Sequence, residues 1–293
     1  MNIECILRQL GFDSKPYSVI SFISAEDGSP YPVWRIEYPD GSFVLKKAKG
    51  QEIQNYQSYL FEDVSYAPRF YGTTESEGDQ YLLLEYIQGT DLTRCNRKDL
   101  TAVLDSLVAM QSQFWGREMS ADALDSRLNR RQYLGNQRLE RAYDAFLEDC
   151  KQIPSTLCHD DLLPFNVIVS DKRCVFIDWE VGGILPYPTS MARLIAHTEE
   201  SEDAFFFMTE SDRTFAIDYY FEKLVKGRGV AYDTYCRSLD LSLFYEYCEM
   251  GLCRKQISAA KHAAVSKVSG SCYKTGGKTW LLIIRILRKI QLG

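Results

Sequence analysis

Asn166 and Asp178 are the residues of this chain whose types and spacing point most directly to chemistry. Asn166 stands immediately before the apolar run Val167-Ile168-Val169, and Asp178 follows the run Cys174-Val175-Phe176-Ile177. The polar turn Ser170-Asp171-Lys172-Arg173 between the runs predicts a short antiparallel hairpin. Antiparallel pairing returns the second strand beside the start of the first, so an amide oxygen and a carboxylate converge at one open edge. Mg²⁺ takes one or two such hard protein oxygens and completes its shell with water and phosphate oxygens, so the pair suits a metal–nucleotide site better than a closed cage. Asp161 lies five residues before Asn166, in His159-Asp160-Asp161-Leu162-Leu163-Pro164-Phe165-Asn166. A loop of that length can aim a further carboxylate at the same place.

The elements that must position these groups follow from periodicity. Residues 17–22 and 33–38 read as strands, and Pro39-Asp40-Gly41 joins the second of them to a third at 42–47 in a hairpin. After Gly50 the period changes: Ile53, Tyr56 and Leu60 recur at helical spacing, and extended runs follow at 69–71 and 81–87. A small sheet with one inserted helix results. Beyond Gly89 the pattern is mostly helical, beginning with Leu100, Val103, Leu104, Leu107 and Val108 after the cap candidate Asn96, and the 167–177 hairpin is its one β interruption. No low-complexity linker or repeat separates the halves. The boundary near Gly89 therefore reads as a hinge between an N-terminal lobe, 1–88, and a C-terminal lobe, 89–293.

Composition narrows the classes. With 293 residues, 45% hydrophobic and 25% charged, the chain can bury a sizeable core, and disorder is excluded. Thirty-four Lys and Arg against 40 Asp and Glu give a net charge of −6, which disfavours nucleic acid and anionic lipid as partners. Nine scattered cysteines without a C-x-x-C pair suit neither a disulfide framework nor a zinc site and read as reduced thiols. The longest apolar run, 280–284, is far below the ~20 residues of a membrane span, so a soluble, cytoplasmic protein is expected.

The segment 159–166 resembles the H-x-D-x-x-x-x-N catalytic loop of the kinase superfamily, in the form used by aminoglycoside phosphotransferases and choline kinases. Ile177-Asp178-Trp179-Glu180 resembles their counterpart of the D-F-G turn. The resemblance implies a two-lobed protein-kinase-like α+β fold, with a small N-terminal sheet lobe and a larger, mostly helical C-terminal lobe. It implies ATP- or GTP-dependent phosphorylation of a hydroxyl on a small molecule such as an aminoglycoside, choline or a sugar; the net charge of −6 and the acidic stretches 199–203 and 210–212 favour a cationic or neutral acceptor over a polyanion. Asp161 would then orient or deprotonate the hydroxyl, Asn166 and Asp178 would hold Mg²⁺, and His159 would buttress the loop. Phe43-Val44-Leu45-Lys46 resembles V-A-I-K: strand alternation puts Val44 and Lys46 on one face, and the resemblance implies that Val44 roofs the adenine while Lys46 reaches the phosphates, against Lys47 in a register slipped by one or a purely solvated lysine. Glu52 opens the inserted helix as the ion-pair partner of Lys46, or else is a solvated first-turn glutamate. Residues 24–32 stand where the glycine-rich loop belongs, and Ser24, Gly28 and Ser29 are their candidates for cradling phosphate, against an ordinary connecting loop. In Leu84-Glu85-Tyr86-Ile87-Gln88-Gly89, which matches the interlobe hinge, the backbone groups of Glu85 and Ile87 would meet the adenine edge, against a plain edge strand and turn.

Three departures stand out. Asp160 replaces a common Gly, Ser190-Met191-Ala192 stands where the family has D-L-A, and Leu163 replaces the Lys of Ser/Thr protein kinases. The last, with no A-P-E segment, argues against a protein kinase. A non-catalytic member that binds nucleotide or a partner without turnover is the alternative, and the intact Lys46, Asp161, Asn166 and Asp178 set argues against it. Gly277-Lys278-Thr279 lacks the glycine and preceding strand of a P-loop. His197 and His262 have no ligand-spaced partner. The acidic run 199–203 reads as a solvated loop capping the next helix, with attraction of a cationic substrate as the other reading. Tyr219, Tyr220, Tyr245 and Tyr247 read as packing rather than as a cage for quaternary ammonium.

Overall fold

The computed structural model describes residues 2–24, 28–120, 123–171 and 173–264. Segments 277–279 and 280–284 lie outside the described residues, as do residues 25–27 of the first strand turn and the side chain of His262. The N-terminal region is a five-stranded antiparallel sheet of β1 (Ser18–Ile23), β2 (Pro30–Tyr38), β3 (Gly41–Lys47), β4 (Phe70–Ser76) and β5 (Asp79–Glu85), ordered β1-β2-β3-β5-β4. Register gives each face one job. Leu45 pairs with Trp34 and Leu83, and this face, with Ile36 and Tyr81, buries against Ile6 and Leu7 of α1 (Ile3–Gln9). Residues of α1 repeat too briefly for periodicity to reveal a helix. The opposite face carries Lys46 beside Val33 and Leu82, and Val44 beside Arg35 and Leu84. Helix α2 (Glu52–Tyr59) crosses on that side and buries Tyr56.

The C-terminal region is mostly helical. In α3 (Arg97–Phe114) the side chain of Asn96 accepts a hydrogen bond from the Asp99 N–H, as expected of a cap. Its buried Leu100, Val103, Leu104, Leu107 and Met110 form one stripe, each side chain contributing about 1.5–3 kcal/mol of burial. Helices α4 (Asp125–Arg130), α5 (Gln137–Cys150), α6 (Pro188–Ala196), α7 (Glu210–Tyr220) and α8 (Tyr232–Ala264) follow among the described residues, with short 3-10 or π segments at 131–133, 164–166 and 221–228 and with α6 packed on α8.

The helical half has more than the one β interruption expected. The short strand β6 (Thr90–Asp91) pairs with β8 (Val167–Val169), which pairs with β9 (Cys174–Phe176), and a second ladder joins β7 (Ser155–His159) to β10 (Gly182–Pro186). The β7 strand is nearly all buried, so it lacks the alternation that marks a half-exposed strand. Strand pairing therefore flanks the 159–166 loop on both sides.

Candidate active site

The open end of the β8–β9 hairpin is closed by the Ile177 N–H donating to the Asn166 carbonyl at 2.9 Å, which brings Asn166 and Asp178 together as antiparallel pairing requires. Asp178 has a positive φ of 65°, a left-handed conformation that asparagine and aspartate tolerate best among residues with a Cβ. That turn aims its carboxylate at Lys46, whose ammonium donates to Asp178 Oδ1 and, at 2.9 Å, to Glu52 Oε1. Burial alone would lower the Lys46 pKa, but the Glu52 and Asp178 carboxylates outweigh it and hold the group above 10.5. Lys47 leaves by the opposite face and pairs with Asp79 at 2.7 Å. Glu52 is fully buried, so a solvated first-turn glutamate is not what forms.

Helix α2 is stitched to the Asp178 turn by two hydrogen bonds. Asn55 Nδ2 donates to the Trp179 carbonyl at 2.9 Å, and the Gln51 N–H donates to the Glu180 carbonyl at 3.0 Å. Gly50 makes the second approach possible: a Cβ there would lie 2.5 Å from the Glu180 oxygen.

On the other side, Asn166 Nδ2 donates to the Asp161 carbonyl at 2.8 Å and to Asp161 Oδ2 at 3.1 Å. The amide nitrogen is thereby committed, leaving Oδ1 as the end able to ligate a cation. His159 is buried against Trp179, with ring centroids 4.6 Å apart. Its Nε2 lies 2.8 Å from the Ile177 carbonyl, and its Nδ1 accepts from the Asp161 N–H at 3.3 Å. Burial lowers its pKa, so the neutral ring with the proton on Nε2 serves both bonds. The His159 N–H donates to Ser190 Oγ at 2.9 Å, so the serine that stands in place of an acid still receives the loop backbone. Asp160 pairs with buried Arg127.

At the 84–89 segment, Glu85 contributes more than backbone. Its Oε2 accepts from Arg173 and, at 3.1 Å, from the Arg69 N–H, while its own N–H donates to the Arg69 carbonyl. Ile87 follows β5 as irregular chain. Gly89 packs closely on β8, since a Cβ would meet the Val169 oxygen at 2.4 Å. At the β1–β2 turn the Ser24 N–H donates to the Ser29 carbonyl and the Gly28 N–H to the Ser24 carbonyl, so both are engaged within the turn.

Sequence reading missed Arg193 and Glu246. Arg193 Nη2 and Nε reach Asp161 Oδ1 at 2.6 and 3.1 Å, and Nη1 reaches Glu246 Oε2 at 2.8 Å. Arg193 is the one charge in α6, otherwise polar or apolar, and that isolation was the available signal. In the acidic run, Glu200 accepts from the Glu210 N–H at the start of α7, the capping role expected. The four tyrosines do not converge: Tyr220 packs in the main core, while Tyr245 and Tyr247 pack in the α5–α8 cluster.

Residues 24–187 match the profile of the phosphotransferase enzyme family, and the chain belongs to that family. Protein LicA of Haemophilus influenzae is 32% identical over 74 residues, which are 25% of this chain and 28% of that protein, so the match spans under a third of the relative. Among solved structures, choline kinase from Cryptosporidium parvum is similar over 99% of this chain and 95% of its own, with a TM-score of 0.60 and 11% identity. An amicoumacin kinase in complex with AMP-PNP covers 99% and 93% with a TM-score of 0.58 and 14% identity. An aminoglycoside phosphotransferase with ADP and hygromycin B covers 98% of both chains with a TM-score of 0.57 and 15% identity. The fold is thus the kinase-like α+β one that the motifs imply, and family and fold together support phosphotransferase activity.

Proposed function

We propose that this protein transfers the γ-phosphoryl group of ATP or GTP to a hydroxyl of a small molecule. The observation that carries the reading is the convergence of Lys46, Asp178, Asn166 and Asp161: Lys46 bonds Asp178, the Ile177 N–H next to Asp178 bonds the Asn166 carbonyl, and the Asn166 amide bonds Asp161. Asn166 Oδ1 and the Asp178 carboxylate are hard oxygens of the number Mg²⁺ accepts from protein when phosphates supply the rest. When bound there, Mg²⁺ neutralises charge on the phosphates. Lys46, seated by Glu52, meets the same phosphates, and the turn that bears Ser24, Gly28 and Ser29 stands at their outer end, with the Ser24 and Gly28 N–H groups engaged inside the turn rather than on phosphate. Backbone groups of Glu85 and Ile87 receive the base, and the lobes divide at 88/89, where Gly89 seats the connecting chain on β8. Asp161 accepts a hydrogen bond from the acceptor hydroxyl and takes its proton as transfer proceeds. Neutral His159 holds the loop rather than moving protons.

The acceptor we infer is cationic or neutral. The net charge is −6, and Glu118 and Glu180 line a cavity of about 550 Å³ that touches the 159–166 loop only at Asp160, whose own charge Arg127 meets. Among the described residues no helix is long and apolar enough to cross a membrane, and the described cysteines are free thiols, in keeping with our placing the protein in the cytoplasm. A panel of aminoglycosides, choline-like amines and sugars tests the assignment, read by thermal shift with Mg²⁺ and a non-hydrolysable nucleotide and then by product formation from ATP or GTP. Transfer to an amine-bearing or neutral alcohol supports it. Nucleotide binding with no transfer to any acceptor or to water favours the non-catalytic alternative and refutes it.

A further inference from the structure

We propose that Arg193 is a positioning residue for Asp161, itself seated by the buried Glu246 of α8, so that α8 sets the geometry of the catalytic loop. This rests on the reading of Asp161 as the carboxylate that meets the acceptor. The loop backbone around Asp161 is fixed by His159 and Ser190, but those bonds leave the Asp161 side chain free to rotate. Two donors remove that freedom. Arg193 delivers both Nε and Nη2 to Oδ1, and Asn166 delivers Nδ2 to Oδ2, from opposite sides of the carboxylate. What remains for an acceptor hydroxyl is the unused lone pair of Oδ2.

The other end of the guanidinium shows what holds Arg193. Its Nη1 reaches Glu246 Oε2 at 2.8 Å, and His197 Nε2 lies 3.2 Å from the same oxygen. The Glu246 side chain is 2% exposed, on a helix face between buried Tyr245 and Tyr247. A buried carboxylate persists only with close partners. Burial, which would raise the Glu246 pKa, is outweighed by His197 and Arg193, and the group is held below its ordinary 4.5. An arginine needed only to join α6 to α8 would be satisfied by Glu246. This one spends two of its three nitrogens on Asp161, 32 residues away in sequence.

The test uses the full chain with Mg²⁺–ATP, measuring nucleotide Kd by titration and kcat both by phosphate released to water and by transfer to any panel acceptor. Arg193→Gln is expected to lower kcat by about 10–100-fold, the scale on which partners that orient an active-site ligand act, with nucleotide Kd changed by less than about twofold. Because that variant leaves the buried Glu246 with His197 as its remaining partner, Arg193→Gln/Glu246→Gln is made as well. It removes both buried charges, should recover most of the lost urea midpoint, and should show the same kcat loss as the single variant. Arg193→Lys keeps the charge but not the fork and should recover only part of the rate. A double variant with kcat within about twofold of the parent, or a nucleotide Kd that worsens as much as kcat falls, overturns the proposal. Asp161→Asn is run alongside. Its failure to reduce transfer would sink the reading of Asp161, whereas loss there with none in the Arg193 variants sinks only the positioning role.

Discussion

Replacing Gly50 by alanine should separate α2 from the Asp178 turn, and the size of the effect follows from one contact. The new Cβ would sit 2.5 Å from the Glu180 carbonyl oxygen. Reaching an ordinary separation of ~3.5 Å requires roughly 1 Å of movement. The Gln51 N–H to Glu180 bond, now 3.0 Å, breaks with that movement, a net loss of about 1 kcal/mol. Alanine at the Gly50 φ of +52° costs about another 1–2 kcal/mol, for a total of about 2–3 kcal/mol. Gly229 provides the control. It has φ +78° with nothing within 4 Å of its would-be Cβ, so Gly229→Ala carries the conformational cost alone. The functional consequence is larger, because α2 carries Glu52 and the displaced turn carries Asp178. A 1 Å misplacement of reacting geometry is worth ~10²-fold, so Gly50→Ala should lose about that much phosphoryl transfer while Gly229→Ala stays within about twofold. Urea unfolding midpoints and initial rates, measured on both variants, decide it. Equal stabilities and equal rates would refute the idea that this seam holds the site together.

Two further outcomes are expected. Because Asn166 and Asp178 offer only two ligand side chains, nucleotide affinity should weaken more than about tenfold when EDTA replaces Mg²⁺ in a calorimetric titration, and equal affinities would remove the metal from this hairpin. Burial holds His159 below its ordinary pKa of 6.5, so the unfolded chain takes up a proton that the folded chain does not. Stability should therefore fall as the pH drops below about 6.5, by at most about 1.4 kcal/mol per pH unit until the folded ring itself protonates. His159→Gln should show a shallower slope between about pH 6.5 and 5.5, and identical slopes would contradict a buried neutral histidine.

What could be read from the sequence was what depends on near neighbours. Asn166 and Asp178 bracket a hairpin, and strand alternation separates Lys46 from Lys47, so both assignments rest on local geometry that the fold reproduces. The long-range partners were not legible. Arg193 and Glu246 are 53 residues apart on different helices, and Arg127 meets Asp160 across 33, with no period that connects either pair. The side chain of Glu85 was invisible for the same reason: its partner Arg173 lies 88 residues away, in the turn of the β8–β9 hairpin. Helix α1 and strand β7 escaped through brevity and uniform burial, which leave too few residues to show a period.

The central claim is that Asp161 serves the acceptor while Asp178 serves the metal-bound nucleotide, although the two carboxylates flank the same asparagine. Asp161→Asn and Asp178→Asn, compared for Mg²⁺–nucleotide Kd and for kcat, test it most directly. Asp161→Asn should cut kcat by about 10²–10⁴-fold with nucleotide affinity nearly unchanged. Asp178→Asn should lose both, since it removes a formal charge from the metal and from Lys46. Full transfer activity in Asp161→Asn, or undiminished Mg²⁺-dependent nucleotide affinity in Asp178→Asn, would contradict the division of labour assigned to this site.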